Sequence, residues 1–475
     1  LDLVHSLLPI CKIKDALIFK WEYLFDNAAR SRSEELVEYL LNYVPKNELR
    51  NILRYQSNYN PWYVAARNGL EGIIRLLIAS GESYPLVRHK TRYCQRSPLH
   101  AAIAQGSETM ASMLLDHGAD IEEISVEIST AKCSPLHTSV FAKSSWLVTL
   151  LLDRGANIQS KMAYGDSALH IAARMGLEDI AELLVDRGGD LHAQSVRSER
   201  PLDTASRKGH KGVVTLLLRR GAQLSHVGAK FSPLHAAVRE ISASKDVVKF
   251  LIEEGLEVDL RTTDGETPLY LALDYAPEDV IELLIALGAD PNKRSKGNQT
   301  PLESLLRGAS RKRDARVFRI IQLLGERTDA ETKNLQLRIV VQERSNNLAV
   351  CENLVDALIS IGADVNAQHN GGKTLLFFVY YRYLEATVKL LLERGVSASA
   401  VDDDGNTMFH HLANGFKSLS PSIQAKYKTE YALTVKLISA AGADLNAMNH
   451  NSERAVDVLR AQGIEIPPEG SILSD

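Results

Sequence analysis

Three stretches of this chain, Ser97-Pro98-Leu99-His100, Ser134-Pro135-Leu136-His137 and Ser232-Pro233-Leu234-His235, carry the same four residues, and each leads into a Leu-rich segment. With the proline as marker, equivalents stand at Pro61, Pro98, Pro135, Ala168, Pro201, Pro233, Pro268 and Pro301, so the phrase returns every 32 to 37 residues. It blurs after Pro301 and resumes at Leu375, Met408 and Ala455, leaving room for one degenerate unit near Leu335. A further copy precedes Pro61 in "YLFDNAARSRSEELVEYLLNYV". A period of this size constrains the fold more than any composition does, and it implies about twelve or thirteen stacked units. Ordinarily 475 residues would suggest several compact domains, but a repeat array grows by stacking and needs no single large core.

Each unit reads as two short helices and a turn. Proline suits the first helical turn, where its missing N–H costs nothing, and Ser97, Ser134, Thr267 and Thr300 before it can cap that helix. Leu99, Leu136, Leu169 and Leu234, with small pairs such as Ala101-Ala102 and Ala172-Ala173, form a face that lets neighbours approach closely. A second helix follows, as in "IAELLVDRG" and "VVTLLLRRG", and a glycine such as Gly155, Gly188 or Gly221 ends it. The polar stretch before the next marker fits an extended hairpin. No unit can bury its Leu face alone; stacking buries it against the next.

"DGETPLYLALDYAPEDVIELLIALGADPN" and "GDSALHIAARMGLEDIAELLVDRGGDLHA" carry the pattern G-x-T-P-L-H-x-A-A, an apolar second helix, then G-A-D-x-N. That pattern resembles the ankyrin repeat over roughly residues 24–465. The resemblance implies an all-α, ankyrin-like solenoid with short β-hairpin loops, forming one array. We divide it into a helical N-terminal cap with one degenerate repeat (1–60), regular repeats (61–300), irregular repeats with a basic insertion (301–372), and C-terminal repeats with a long insertion and cap (373–475). It also implies protein–protein recognition on the side lined by first helices and hairpins.

Composition bounds the partners. A net charge of −4 gives no global pull towards nucleic acid or an anionic membrane. The basic hairpins carry few interleaved aromatics, which argues further against nucleic acid. Apolar runs fall far short of the roughly 18 residues that span a bilayer. The first ten residues lack a basic n-region, although the chain begins without Met. Cys11, Cys94, Cys133 and Cys351 show no CxxC spacing, which suits a reducing intracellular compartment, cytoplasmic or nuclear.

The candidate sites divide into motif and surface. His100, His137, His170, His235 and His410 occupy the motif histidine and read as hydrogen-bond partners between units, with no metal or other cofactor expected. His410-His411 looks like a chelating pair, but adjacent helical residues point about 100° apart, whereas helical ligand pairs stand at i, i+4. "VDDDGN" at Val401–Asn406 reads as a solvated turn. The basic insertion "RGASRKRDARVFR" at Arg307–Arg319 reads as a solvated loop, an import-like signal or an acidic-partner contact.

Six residues after the marker, five units carry Arg67, Arg174, Arg207, Arg239 and Arg307, with Tyr381 in a later unit and Lys208 beside Arg207. Arg96, Tyr93, Tyr164 and Phe231 lie on hairpins, and Tyr275 ends its first helix. Arg and Tyr are residues that anchor interfaces. Stacking turns this register into an exposed cationic row suited to an extended acidic protein segment. The alternative is an enzyme or small-ligand protein using the groove or the irregular C-terminal third, for which no nucleophile–base constellation stands in the sequence.

Overall fold

The computed structural model describes residues 24, 27–28, 31–46, 61–80, 97–126, 132–224, 231–309, 315–342, 348–379 and 384–466; the side chains of 307–309, 315 and 348–351 are outside that description. The chain divides into two compact units, Leu1–Leu256 and Glu257–Asp475. In the first unit the described helices are α1 (Glu34–Tyr43), α2 (Pro61–Asn68), α3 (Glu71–Ala79), α4 (Pro98–Ala104), α5 (Glu108–Asp116), α6 (Pro135–Phe141), α7 (Ser145–Asp153), α8 (Ala168–Met175), α9 (Glu178–Asp186), α10 (Pro201–Lys208), α11 (Lys211–Arg219), α12 (Pro233–Ala237) and α13 (Lys245–Glu253). A two-stranded antiparallel ribbon, β1 (Ser125–Val126) with β2 (Lys132–Cys133), precedes α6 and pairs Ser125 with Cys133. Elsewhere among the described residues the hairpins are single bridges or turns, such as Lys161–Ser167. The fold is an all-α solenoid of helix pairs.

The marker proline opens α4, α6, α10 and α12 at the first turn. In α4 the Ser97 hydroxyl accepts the His100 N–H, a standard N-cap. The residue after the marker is buried every time: Leu99, Leu136, Leu169, Leu202 and Leu234 are at most 2% exposed. Leu114, Leu151, Leu184, Leu217 and Leu251 fill the equivalent place on the second helices. Each buried leucine contributes roughly 1.5–3 kcal/mol, and the recurrence makes the core a continuous seam. Gly176 ends α8 at φ +71°, and a Cβ there would meet the His210 ring. Its lack of a side chain serves both the left-handed turn and a close approach.

The second helices are tied by a ladder that sequence reading overlooked. The arginine just past each helix reaches back to the aspartate ending the previous second helix: Arg154 to Asp116 at 2.7 Å, Arg187 to Asp153 at 2.6 Å, and Arg220 to Asp186. These pairs are exposed, so each contributes little alone.

The second unit holds α14 (Pro268–Tyr275), α15 (Glu278–Ala286), α16 (Pro301–Ala309), α17 (Ala315–Gly325), α18 (Ala330–Gln342), α19 (Leu348–Ser360), a 3-10 turn at Leu375–Phe378, α20 (Leu384–Glu393), α21 (Met408–Lys417), α22 (Pro421–Ala440) and α23 (Ala455–Ala461). Three departures from the repeat stand here. α17 ends at Gly325 and α18 begins at Ala330, so this connection has no hairpin. The Leu375 copy keeps only four residues of its first helix. The long insertion expected in the C-terminal repeats is built largely into α22, twenty residues long, with Pro421 in its first turn and no glycine or later proline to break it.

Candidate partner-binding surface

The motif histidines hold the first-helix face together. In α8 the Ser167 N–H donates to His170 Nδ1 at 3.2 Å, so the ring proton belongs on Nε2, which meets the Glu199 carbonyl of the next hairpin at 3.0 Å. His410 does the same between Thr407 and the Glu453 carbonyl, at 3.1 and 3.0 Å. His100 reaches the Cys133 carbonyl at 3.1 Å. The His100, His170 and His410 rings thus join consecutive hairpins. Burial lowers the His170 pKa, and it lowers that of His137 to about 4, against the carbonyls of Ser160 and Asp166.

Where the histidine is missing, other chemistry takes its place. Asp203 stands there in α10 and holds the Arg200 guanidinium at 3.0 Å, both side chains being at most 4% exposed. Arg200 Nη1 then donates to the Gln223 carbonyl at 2.8 Å, supplying the forward strut. In α14 the Tyr270 hydroxyl donates to Gln299 Oε1 at 3.3 Å. Glu303 in α16 only accepts, from the Thr300 N–H at 3.0 Å and from Arg294 at 3.3 Å. No hairpin follows it to receive a donor.

The second histidine and the acidic run form one element. His411 Nε2 lies 2.8 Å from Asp402 Oδ2, and Asp402 also accepts the Asp404 and Asn406 N–H groups. With 2% of its side chain exposed, Asp402 is not the solvated turn residue expected from "VDDDGN". The hairpin needs an acceptor for its backbone donors, and the carboxylate provides it. Burial would raise Asp402, but the bonds from His411 and Asn406 outweigh it and leave the carboxyl below its ordinary value. His411 is itself lowered by burial and packs edge-on against Phe377, 4.6 Å between ring centres.

In the first unit Arg174 and Arg207 of the arginine register are already paired. Arg174 pairs with Asp166 on its own hairpin. Arg207 pairs with Glu199 at 3.2 Å and with Glu240 at 2.6 Å, and Lys208 adds a third bond to Glu240 at 3.0 Å. Burial would raise Glu240, but hydrogen bonds from Lys208 and Arg207 hold it below the usual carboxylate range. Arg207, 13% exposed, is part of the structure rather than a solvated side chain. The rule is geometric: the residue six after the marker packs on the residue two before it, and where that residue is Asp or Glu the charge is neutralised.

At the next copy the partner is Phe231, and the Arg239 guanidinium lies over its ring at 4.2 Å. Arg239 is exposed and has no carboxylate partner among the described residues. Arg67, in the last turn of α2, is exposed as well. Tyr164 is 59% exposed at a hairpin tip, where its carbonyl accepts the Val196 N–H at 2.9 Å, and Val196 is 73% exposed. Phe141, in the register position of α6, is 42% exposed. Sequence reading passed over Phe141 and Val196 because an apolar residue in a repeat reads first as core. Tyr275, in the second unit, is exposed at the end of α14. Tyr93, Arg96, Tyr381 and the Arg307 side chain lie outside the described residues, as does much of the basic insertion.

A family profile described as ankyrin repeats in three copies matches residues 85–162, 136–227 and 202–295. This is an ankyrin-repeat protein. Ankyrin repeats mediate protein–protein interaction. No curated protein matches the chain in sequence. Among solved structures, the ankyrin repeat domain of human ASB11 is 26% identical over 44% of this chain and 91% of its own, with a TM-score of 0.39. The ankyrin repeat domain of Bcl-3, a member of the IkappaB family, is 25% identical over 48% of this chain and 98% of its own, with a TM-score of 0.37. Among the described residues no helix is long and apolar enough to cross a membrane.

Proposed function

We propose that the first-helix and hairpin face of the first unit binds an extended, partly acidic segment of a protein partner, as part of a scaffold or adaptor. The observation that carries this reading is the Phe231–Arg239 pair. Its guanidinium lies over a ring, exposed, and is not spent on a carboxylate among the described residues, unlike Arg174 and Arg207. A guanidinium stacked in this way is preorganised to grip a carboxylate with both nitrogens. Tyr164, Val196 and Phe141 supply apolar area beside the hairpins for the uncharged residues of such a segment. Arg67 extends the cationic part of the face, and Tyr93 and Arg96 belong to the same proposed set. Tyr275 and Arg307 are the equivalent candidates in the second unit. The four cysteines, none at CxxC spacing, accord with a reducing setting, cytoplasmic or nuclear.

The test begins with capture of partners on the intact chain and ends with affinities for the one recovered. Arg239→Glu should weaken it by roughly 2–4 kcal/mol, the scale of a central interface anchor, and Phe231→Ala by about half as much. Wild-type binding should weaken with added salt. Unchanged affinity for Arg239→Glu across a salt series would place the binding surface elsewhere.

A further inference from the structure

Beside the missing hairpin lies a cavity of about 260 Å³, lined by Arg294 and Asn298 from the preceding hairpin, Glu303 and Leu306 from α16, and Gln336 and Arg338 from α18. A regular repeat would bring its own hairpin forward here, but the chain passes from α17 to α18 in a short turn.

The walls hold an unusual number of unspent donors. Gln336 is 1% exposed, and its Nε2 has no hydrogen-bond partner. Arg338 Nε is buried and unpartnered as well, and its guanidinium lies over the Phe378 ring at 5.1 Å. Outside the lining, His369 stands edge-on against the same Phe378 ring. Orphaned buried donors are costly, and two of them side by side on one helix call for an acceptor. Charge points the same way. Glu303 is already engaged by Thr300 and Arg294, whereas Arg338 has no carboxylate partner among the described residues. One positive charge is therefore left uncompensated.

We infer that this cavity receives a single carboxylate, the side chain of an Asp or Glu in the partner segment, held by the Arg338 guanidinium and the Gln336 amide. The inference rests on the acidic-segment reading above but concerns different residues in the other unit. The volume equals that of about nine water molecules, enough for a carboxylate side chain and its backbone. A doubly charged phosphate fits less well, because the Glu303 carboxylate stands in the same wall and only one positive charge awaits a partner.

The probe is a fluorescein-labelled dodecapeptide alternating Glu and Ser, titrated by anisotropy against the intact chain at fixed ionic strength, beside a Gln–Ser counterpart. The Glu peptide should bind about tenfold or more tightly than the Gln peptide. Arg338→Gln should remove that advantage. Gln336→Met is the sharper variant: it deletes an unsatisfied donor, so the thermal midpoint should hold or rise while affinity for the Glu peptide falls several-fold. A merely structural Gln336 would lose both together. Equal binding of the two peptides would overturn the assignment, as would inorganic phosphate displacing the Glu peptide better than acetate does. If Arg239→Glu abolishes binding while Arg338→Gln and Gln336→Met leave it intact, this proposal fails and the reading of the first unit stands.

Discussion

The helix pairs α8–α9 and α18–α19 occupy equivalent places in the repeat, yet they treat their polar groups in opposite ways. Around α8, the His170 ring joins its own N-cap to the carbonyl of the following hairpin, and Arg174 rests on Asp166. Around α18, Gln336, Arg338 and His369 keep buried nitrogens with no partner. α18 is anchored instead at its start, where Asp329 caps Thr332 at 2.6 Å and takes a bond to Asn292 through its own N–H at 2.9 Å. The difference teaches what a hairpin contributes: it is the acceptor for the previous repeat's donor. Where it is lost, Glu303 replaces the donor on one side and unspent donors collect on the other.

Four experiments press on that contrast. The largest effect belongs to Arg200→Ala, which strips Asp203 of its buried partner and takes the donor from Gln223. Breaking such a pair costs about 3–5 kcal/mol, read by denaturant unfolding. Restoring the motif with Arg200→Ser and Asp203→His together should recover most of that loss. If it does not, the strut is not interchangeable chemistry.

Acidification comes next. His137 titrates near 4 when folded and near 6.5 when unfolded, so below pH 6.5 the unfolded chain binds the extra proton. Stability should therefore fall as pH drops from 6.5 to 4, by about 3 kcal/mol for this histidine alone, with His170 adding in the same direction. Hydrogen exchange at pH 7 and pH 5 should show protection lost over 134–199 and largely kept over 268–306, where no histidine stands. Equal losses in both would sink the contrast.

How much of this was legible in the sequence follows from which residues repeat. The helix pairs, their caps and the structural role of His170 could be read because the same residue types return at the same spacing. The Arg200–Asp203 strut could not, since it replaces one motif residue with two residues of different type. The paired state of Arg174 and Arg207 was hidden for a related reason. Their carboxylates lie eight residues upstream on a hairpin, and neither a helical nor a strand period links them. The cavity beside α18 was invisible because its cause is an absent segment.

Arg207→Glu gives a smaller effect, about 2 kcal/mol of destabilisation, by setting three carboxylates together where Glu199 and Glu240 were neutralised. The exposed Arg239→Glu should leave the thermal midpoint within about half a kcal/mol of wild type. Similar losses for both would mean that the register is uniform after all. Least of all, Arg187→Ala on the outer ladder should cost no more than about 0.5 kcal/mol, and a larger value would show the ladder acting as a network.

The struts and the ladder share one property: each bond joins a residue to the corresponding place in the adjacent repeat. His170 looks forward to Glu199, and Arg187 looks back to Asp153. A repeat copied whole thus carries one half of every such bond at each end and meets the matching halves in its new neighbours. The array can lengthen or shorten in complete units over evolutionary time without stranding a donor. A cut through the middle of a repeat leaves the kind of unmet need that surrounds Arg338.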